Sequence, residues 1–163
     1  MGRGPLAGPV VAACVVIDKN LLAGPVPQYF YEIDDSKKLT SSKRAELAAR
    51  LRDQEGVEIG MGMVDSCTID RINILEATRL AMQQALAMLN SSPDHLLIDG
   101  MGLPAIAISQ TPIIRGDSRS ISIAASSIVA KVFRDGLMAK YDEEFPNYGF
   151  AQHKGYEIGR AHV

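Results

Sequence analysis

Eight consecutive apolar residues, Val10 to Ile17, stand between Pro9 and Asp18. A short valine-rich run with such sharp boundaries reads as a buried strand. Helical apolar patterns follow it. Ala45, Leu47, Ala48 and Leu51 form a stripe behind Thr40 or Ser41, either of which can cap a helix, with Gly56 closing it. Val57, Ile59, Met61 and Met63 then alternate with Glu58, Gly60 and Gly62, a period-two strand with one bare face. Asp65 to Ile72 reads as a connector or short helix, and Asn73 to Leu89 as a helix whose methionines fill core space. Leu96-Leu97-Ile98 is a short buried strand ending in Asp99-Gly100, and Ile113-Ile114 another, ahead of Arg115-Gly116-Asp117-Ser118. A long helix is expected from about Ser120 to Glu144. Tyr29 to Ile33, aromatic and bounded by turn residues, reads as a further strand. The order strand, strand, helix, strand, helix, strand, strand, helix is an α/β layer arrangement.

Length and composition narrow the class. The 163 residues suit one domain, and 47% hydrophobic against 22% charged residues argue for a packed core rather than disorder. A net charge of −2 gives no sign of a globally basic nucleic-acid binder, so an anionic partner must be met by local clusters or a bound cation. Cys14 and Cys67 form no C-x-x-C pair and read as two buried thiols of a reducing compartment. No apolar run reaches membrane-spanning length, and the N-terminal residues do not resemble a signal peptide. A cytoplasmic protein with no membrane partner is expected.

Ahead of the first strand lies Gly2-Arg3-Gly4-Pro5-Leu6-Ala7-Gly8-Pro9. Glycines let a ligand approach the main chain, and an arginine held there offers a planar fork of donors to phosphate or sugar oxygens. A tight turn with Arg3 in solvent is the plainer alternative. Asp99 stands where open α/β sheets collect catalytic groups, at the carboxyl end of a strand, though a strand-end turn also accepts Asp. Asp117 precedes the long helix, where a carboxylate is favoured by the helix dipole or serves as a cap. Two such carboxylates are oxygen ligands suited to Mg²⁺ or Mn²⁺. In the long helix, Lys131 and Arg134 share a face by spacing, and Asp135 reads as a solvated ion-pair partner of Lys131. Lys37 and Lys38 can touch phosphate or simply confer solubility. His153-Lys154-Gly155-Tyr156 sets a cation beside a tyrosine able to stack on a sugar or base. No Walker loop, metal-spaced Cys/His set or serine-hydrolase elbow is present.

Seven blocks of the chain, in order, resemble the type 2 ribonuclease H (ribonuclease HII) family. They are residues 2–13, Asp35-Ser36-Lys37-Lys38-Leu39, Asn73-Ile74-Leu75, Ile98-Asp99-Gly100, Gly116-Asp117-Ser118, residues 122–131, and Tyr148-Gly149-Phe150 with His153-Lys154-Gly155-Tyr156. The resemblance implies a ribonuclease H-like mixed sheet flanked by helices over residues 1–156. It implies a metal-dependent endonuclease that cuts RNA in RNA–DNA hybrids and on the 5′ side of single ribonucleotides in duplex DNA. It also implies Mg²⁺ or Mn²⁺ on four acids, of which two map to Asp99 and Asp117. The Gly2-Arg3-Gly4 loop maps to the reader of the ribose 2′-hydroxyl, the group that separates RNA from DNA. Tyr156 maps to a tyrosine against the neighbouring deoxyribose, and Ser36 and Lys37 to a phosphate-facing loop.

The chain departs from the family pattern at both ends. The other two acids form an Asp-Glu pair that would precede Met1, so the chain as given is expected to bind metal weakly and cleave poorly. Residues 157–163 do not follow the pattern and are expected to be a non-native tail, such as an adapter sequence encodes, with no weight on His162. A monomer is expected. A catalytically silent hybrid-binding module that keeps Arg3, Lys37 and Tyr156 is the alternative reading. A generic nucleotide-binding α/β domain leaves Asp99 and Asp117 unexplained.

Overall fold

The computed structural model describes residues 3–157. Strand β1 (Val10–Ile17) is antiparallel to β2 (Val57–Val64), in a register that sets Ala12 opposite Gly62 and Cys14 opposite Gly60. The bare face foreseen for β2 has a purpose. Helix α3 (Ser66–Ala87) lies so close that a Cβ at Gly60 or Gly62 would run into the carbonyl oxygens of Ala85 and Ala81. Ala77, Ala81 and Ala85, spaced by four, face it, so small residues on both sides let a helix backbone approach the sheet. The other face packs Val15 against Leu47 and Leu51 of α2 (Ser41–Asp53) and Ala125 and Ile128 of α4 (Ile121–Glu144). The result is helix, sheet, helices.

Thr40 caps α2 by accepting the Lys43 N–H at 3.2 Å, and the helix ends at Asp53, just short of Gly56. The segment Asp65 to Ile72 is helical and runs into the next helix across a kink at Asn73, whose φ is 68°. The Asn73 carboxamide oxygen accepts the N–H groups of Leu75 and Glu76, so Asn73 caps the second half from within.

Some expectations change. Residues Gln28–Glu32 form a 3₁₀ turn, not a strand. Tyr29 and Phe30 are both buried, edge to face at 4.9 Å. Strand neighbours point to opposite faces, so two adjacent rings entering one core require a turn. A short helix α1 (Lys19–Ala23), unforeseen, precedes it. Strand β3 (His95–Asp99) is parallel to β4, which spans Ser109–Ile113 rather than Ile113-Ile114. The polar residues and Pro112 of β4 hide it from a hydrophobicity reading, but an edge strand tolerates both. Cys67 is exposed and Cys14 half-buried, so the two thiols are not both interior. Burial, with Glu58 nearby, pushes the Cys14 thiol up.

The mixed α/β layers carry their strands in two pairs among the described residues, β1 with β2 and β3 with β4. A cleft of about 370 Å³ separates β1 from β3, with Arg3 and Asp99 in its lining. No described helix is long and apolar enough to cross a membrane.

Candidate active site

Asp99 ends β3, opposite Ile113 of β4, and is exposed. Beyond β4 the chain turns through Arg115, in the left-handed region at φ 54°, into a 3₁₀ turn Gly116–Ser118 leading to α4. The Gly116 N–H donates to Asp99 Oδ1 at 2.8 Å. That bond ties the end of one strand to the turn carrying the second carboxylate, so Asp99 and Asp117 share one corner. Asp117 is not the cap of α4: that position is Ser120.

A third element reaches the same corner. The Asp35 carboxylate accepts the Lys37 N–H at 2.9 Å, closing a side-chain turn, and Lys37 Nζ lies 4.0 Å from Asp117 Oδ2. Burial, then the negative charges of Asp35 and Asp99, hold the Asp117 carboxyl above its usual range; Lys37 and the Ser118 N–H oppose this. The corner therefore holds more negative charge than its own cations balance. Hard carboxylate oxygens in such surplus fit a divalent cation, which takes one or two carboxylates and completes its shell with water and phosphate oxygen. Among the described residues no three His, Cys, Asp or Glu side chains are grouped to hold one ion.

Lys37 is exposed, free to meet phosphate, whereas Ser36 is fully buried. The Ser36 hydroxyl bonds to Ser127 Oγ of α4 at 2.9 Å, so it anchors the loop instead of facing solvent. Arg44 of α2 holds the same loop from below. It donates to the carbonyls of Ser36 at 2.8 Å and Leu39 at 2.5 Å, and pairs with Asp135 at 3.6 Å. Lys131 donates to Asp135 at 2.6 Å as expected, but both are largely shielded rather than solvated.

The N-terminal loop meets the C-terminal residues. Arg3 and Gly4 are exposed; Gly2 lies outside the described residues. The Gly155 carbonyl accepts the N–H groups of Leu6 at 2.9 Å and Ala7 at 3.3 Å. A Cβ on Gly4 would sit 3.7 Å from Tyr156 Cε1, so the partly exposed tyrosine flanks the loop. The cation at this ring is Arg134, its guanidinium carbon 6.0 Å from the ring centre. Arg134 is 1% exposed and does not share the Lys131 surface. It belongs to the interior row Ala130, Arg134, Met138, a spacing of four that marks it in the sequence. Arg44 and Ser127 carry no comparable local signal.

The geometry thus unites Asp99, Asp117 and Lys37, and separately Gly4 and Tyr156. The sequence model of the family described as Ribonuclease HII matches residues 1–162. A relative named Ribonuclease HII from Geotalea daltonii is 53% identical over 155 residues, covering 95% of this chain and 68% of the relative. Another of that name, from Clostridioides difficile, is 50% identical over 155 residues, covering 95% of this chain and 58% of the relative. The chain thus spans roughly three fifths to two thirds of these relatives' lengths. A solved structure of the PCNA:RNase HII complex from Archaeoglobus fulgidus contains a chain that matches with a TM-score of 0.74 at 22% identity. The match covers 98% of this chain and 78% of that one, a likeness of fold.

Proposed function

The chain belongs to the ribonuclease HII family, and from that premise we propose that it is built to cleave RNA in RNA–DNA hybrids and on the 5′ side of single ribonucleotides in duplex DNA. The observation that carries the reading is the corner where Gly116 joins Asp99 to the Asp117 turn, with a surplus of negative charge. Asp99 and Asp117 would hold Mg²⁺ or Mn²⁺. When bound, such ions activate a water and neutralise the charge that develops on the phosphate and leaving oxygen.

The chain's own residues do the rest. Lys37 offers its ammonium to a backbone phosphate beside the carboxylates, and Ser36 fixes the loop that carries it. The Gly2-Arg3-Gly4 loop donates to the ribose 2′-hydroxyl, and Tyr156 covers the neighbouring sugar. Main-chain donors and a sugar-facing ring ignore base identity, so little sequence preference is expected. We place the activity in cytoplasmic ribonucleotide removal, by a monomer whose catalytic domain is residues 1–156.

The test is cleavage of a DNA duplex carrying one ribonucleotide, with Mg²⁺ or Mn²⁺. It uses the chain as given and the chain preceded by the Asp-Glu pair of the family pattern. The extended chain is expected to cut 5′ to the ribonucleotide, to stop with a chelator, and to lose at least about a hundredfold in rate in Asp99→Asn, on the scale of removing one charge-stabilising group. A folded, extended protein that binds the hybrid without cutting it would favour the binding module and overturn the nuclease reading.

A further inference from the structure

The mechanism above leaves unused the most deeply buried charge among the described residues. Arg134 is 1% exposed, yet its hydrogen bonds go to no carboxylate. Nε donates to the Pro9 carbonyl at 3.0 Å, Nη2 to the Ala7 carbonyl at 3.0 Å and Nη1 to the Lys154 carbonyl at 2.9 Å. Two acceptors belong to the N-terminal loop and one to the C-terminal segment. They are far apart in sequence, and one rigid guanidinium fork binds both. The planar fork suits this task; a lysine ammonium has a different shape and reach. The same joint is closed a second time where the Gly155 carbonyl accepts Leu6 and Ala7. Gly155 has φ +81°, and a Cβ there would strike the Ala7 carbonyl oxygen. What the joint sets is the relation between the Arg3-Gly4 loop and the Tyr156 ring.

We infer that Arg134 is a positioning residue for sugar recognition: it holds the Gly-Arg-Gly loop at a set distance from Tyr156, and so governs discrimination between ribose and deoxyribose. This rests on the function proposed above. Arg134 touches no substrate. It acts through the loop on one side of the sugar site and the ring on the other. Recognition of a single hydroxyl requires donors placed within tenths of an ångström, and an unpinned loop of glycines and prolines does not supply that.

The experiment measures affinity, not turnover. Two fluorescently labelled duplexes of one sequence, one all-DNA and one with a single ribonucleotide, are titrated with Ca²⁺ present in place of the catalytic metal. The readout is the ratio of the two dissociation constants, for the unaltered chain, Arg134→Lys and Gly155→Ala. Thermal unfolding identifies which variants are folded. Gly155→Ala opens the same joint without altering Arg134, so either variant suffices. The unaltered chain is expected to prefer the ribonucleotide duplex, and the preference is expected to fall roughly tenfold in each folded variant, about 1.4 kcal/mol. A merely structural role changes the amount of folded protein and shifts both constants together. A ratio that stays constant in a folded variant therefore overturns the inference. If the unaltered chain shows no preference either with or without the preceding Asp-Glu pair, it is the function proposed above that fails.

Discussion

Two corners of this molecule hold charge in opposite ways. At the joint of the two terminal segments, one buried cation meets three carbonyls and an aromatic face. At the end of β3, the charges of Asp99 and Asp35 both act on a half-buried Asp117, with Lys37 4.0 Å from it and itself exposed. The first corner is complete within the chain: burial presses the Arg134 pKa down, yet a guanidinium remains charged, so its bonds must be made. The second is left unbalanced by its own residues. A fold that satisfies a deeply buried charge with such care has the means to satisfy a surface one. On the function proposed above, the carboxylate corner is the place where stability is given up for a site that a bound cation would complete.

The largest effect is expected from breaking the completed corner. Arg134→Ala removes three charge-assisted hydrogen bonds and leaves the carbonyls of Ala7, Pro9 and Lys154 without their donor. The loss should be on the order of 3 kcal/mol or more, read as a lower urea midpoint. A loss under about 1 kcal/mol, the range of ordinary surface changes, would mean that the joint is not rigid.

How these corners register in the sequence differs too. Strand β1, the glycine face of β2 and helix α4 are legible because periodicity reports a buried face directly. The positions of Asp99 and Asp117 are legible because one ends the apolar run of β3 and the other lies in the short Gly-Asp-Ser turn ahead of α4. The fold of residues 28–32 is not, since Tyr29 and Phe30 take a turn only because a core made by distant helices receives both rings. Strand β4 is polar and gains its identity from pairing with β3. Ser36 sits in a charged loop that reads as solvated, and only its meeting with Ser127, 91 residues on, shows it to be interior. Arg134 lies between: its row on α4 is visible in the sequence, but its acceptors, 125 and 127 residues away in Pro9 and Ala7, are not.

Arg44 offers an intermediate case that sharpens the comparison. It too holds a loop by two carbonyls, but its side chain is 12% exposed and it shares Asp135 with Lys131. Water can take part of its place, and Lys131 keeps Asp135 paired. Arg44→Ala is therefore expected to cost about 1–2 kcal/mol, less than Arg134→Ala under the same urea titration. Equal losses would show that burial of the guanidinium is not what distinguishes the two loops.

The smallest effect is expected to have the opposite sign. Asp117 has a native pKa held above the ordinary value by burial and by Asp35 and Asp99. The native state thus binds this proton more tightly than the unfolded chain does. The stability this contributes is fully present below the unfolded pKa and is lost as pH rises through the native one. At neutral pH with a chelator, ionised Asp117 is a net burden, and Asp117→Asn should unfold at a slightly higher urea concentration than the unaltered chain. The advantage should vanish on acidification below the carboxylate range, where both side chains are neutral. Mg²⁺ should then reverse the order at neutral pH, because a cation bound only to the native state stabilises the chain that keeps both carboxylates more than the variant. If Asp117→Asn is the less stable protein at neutral pH with chelator present, the corner is already balanced by its own residues, and the contrast with Arg134 disappears.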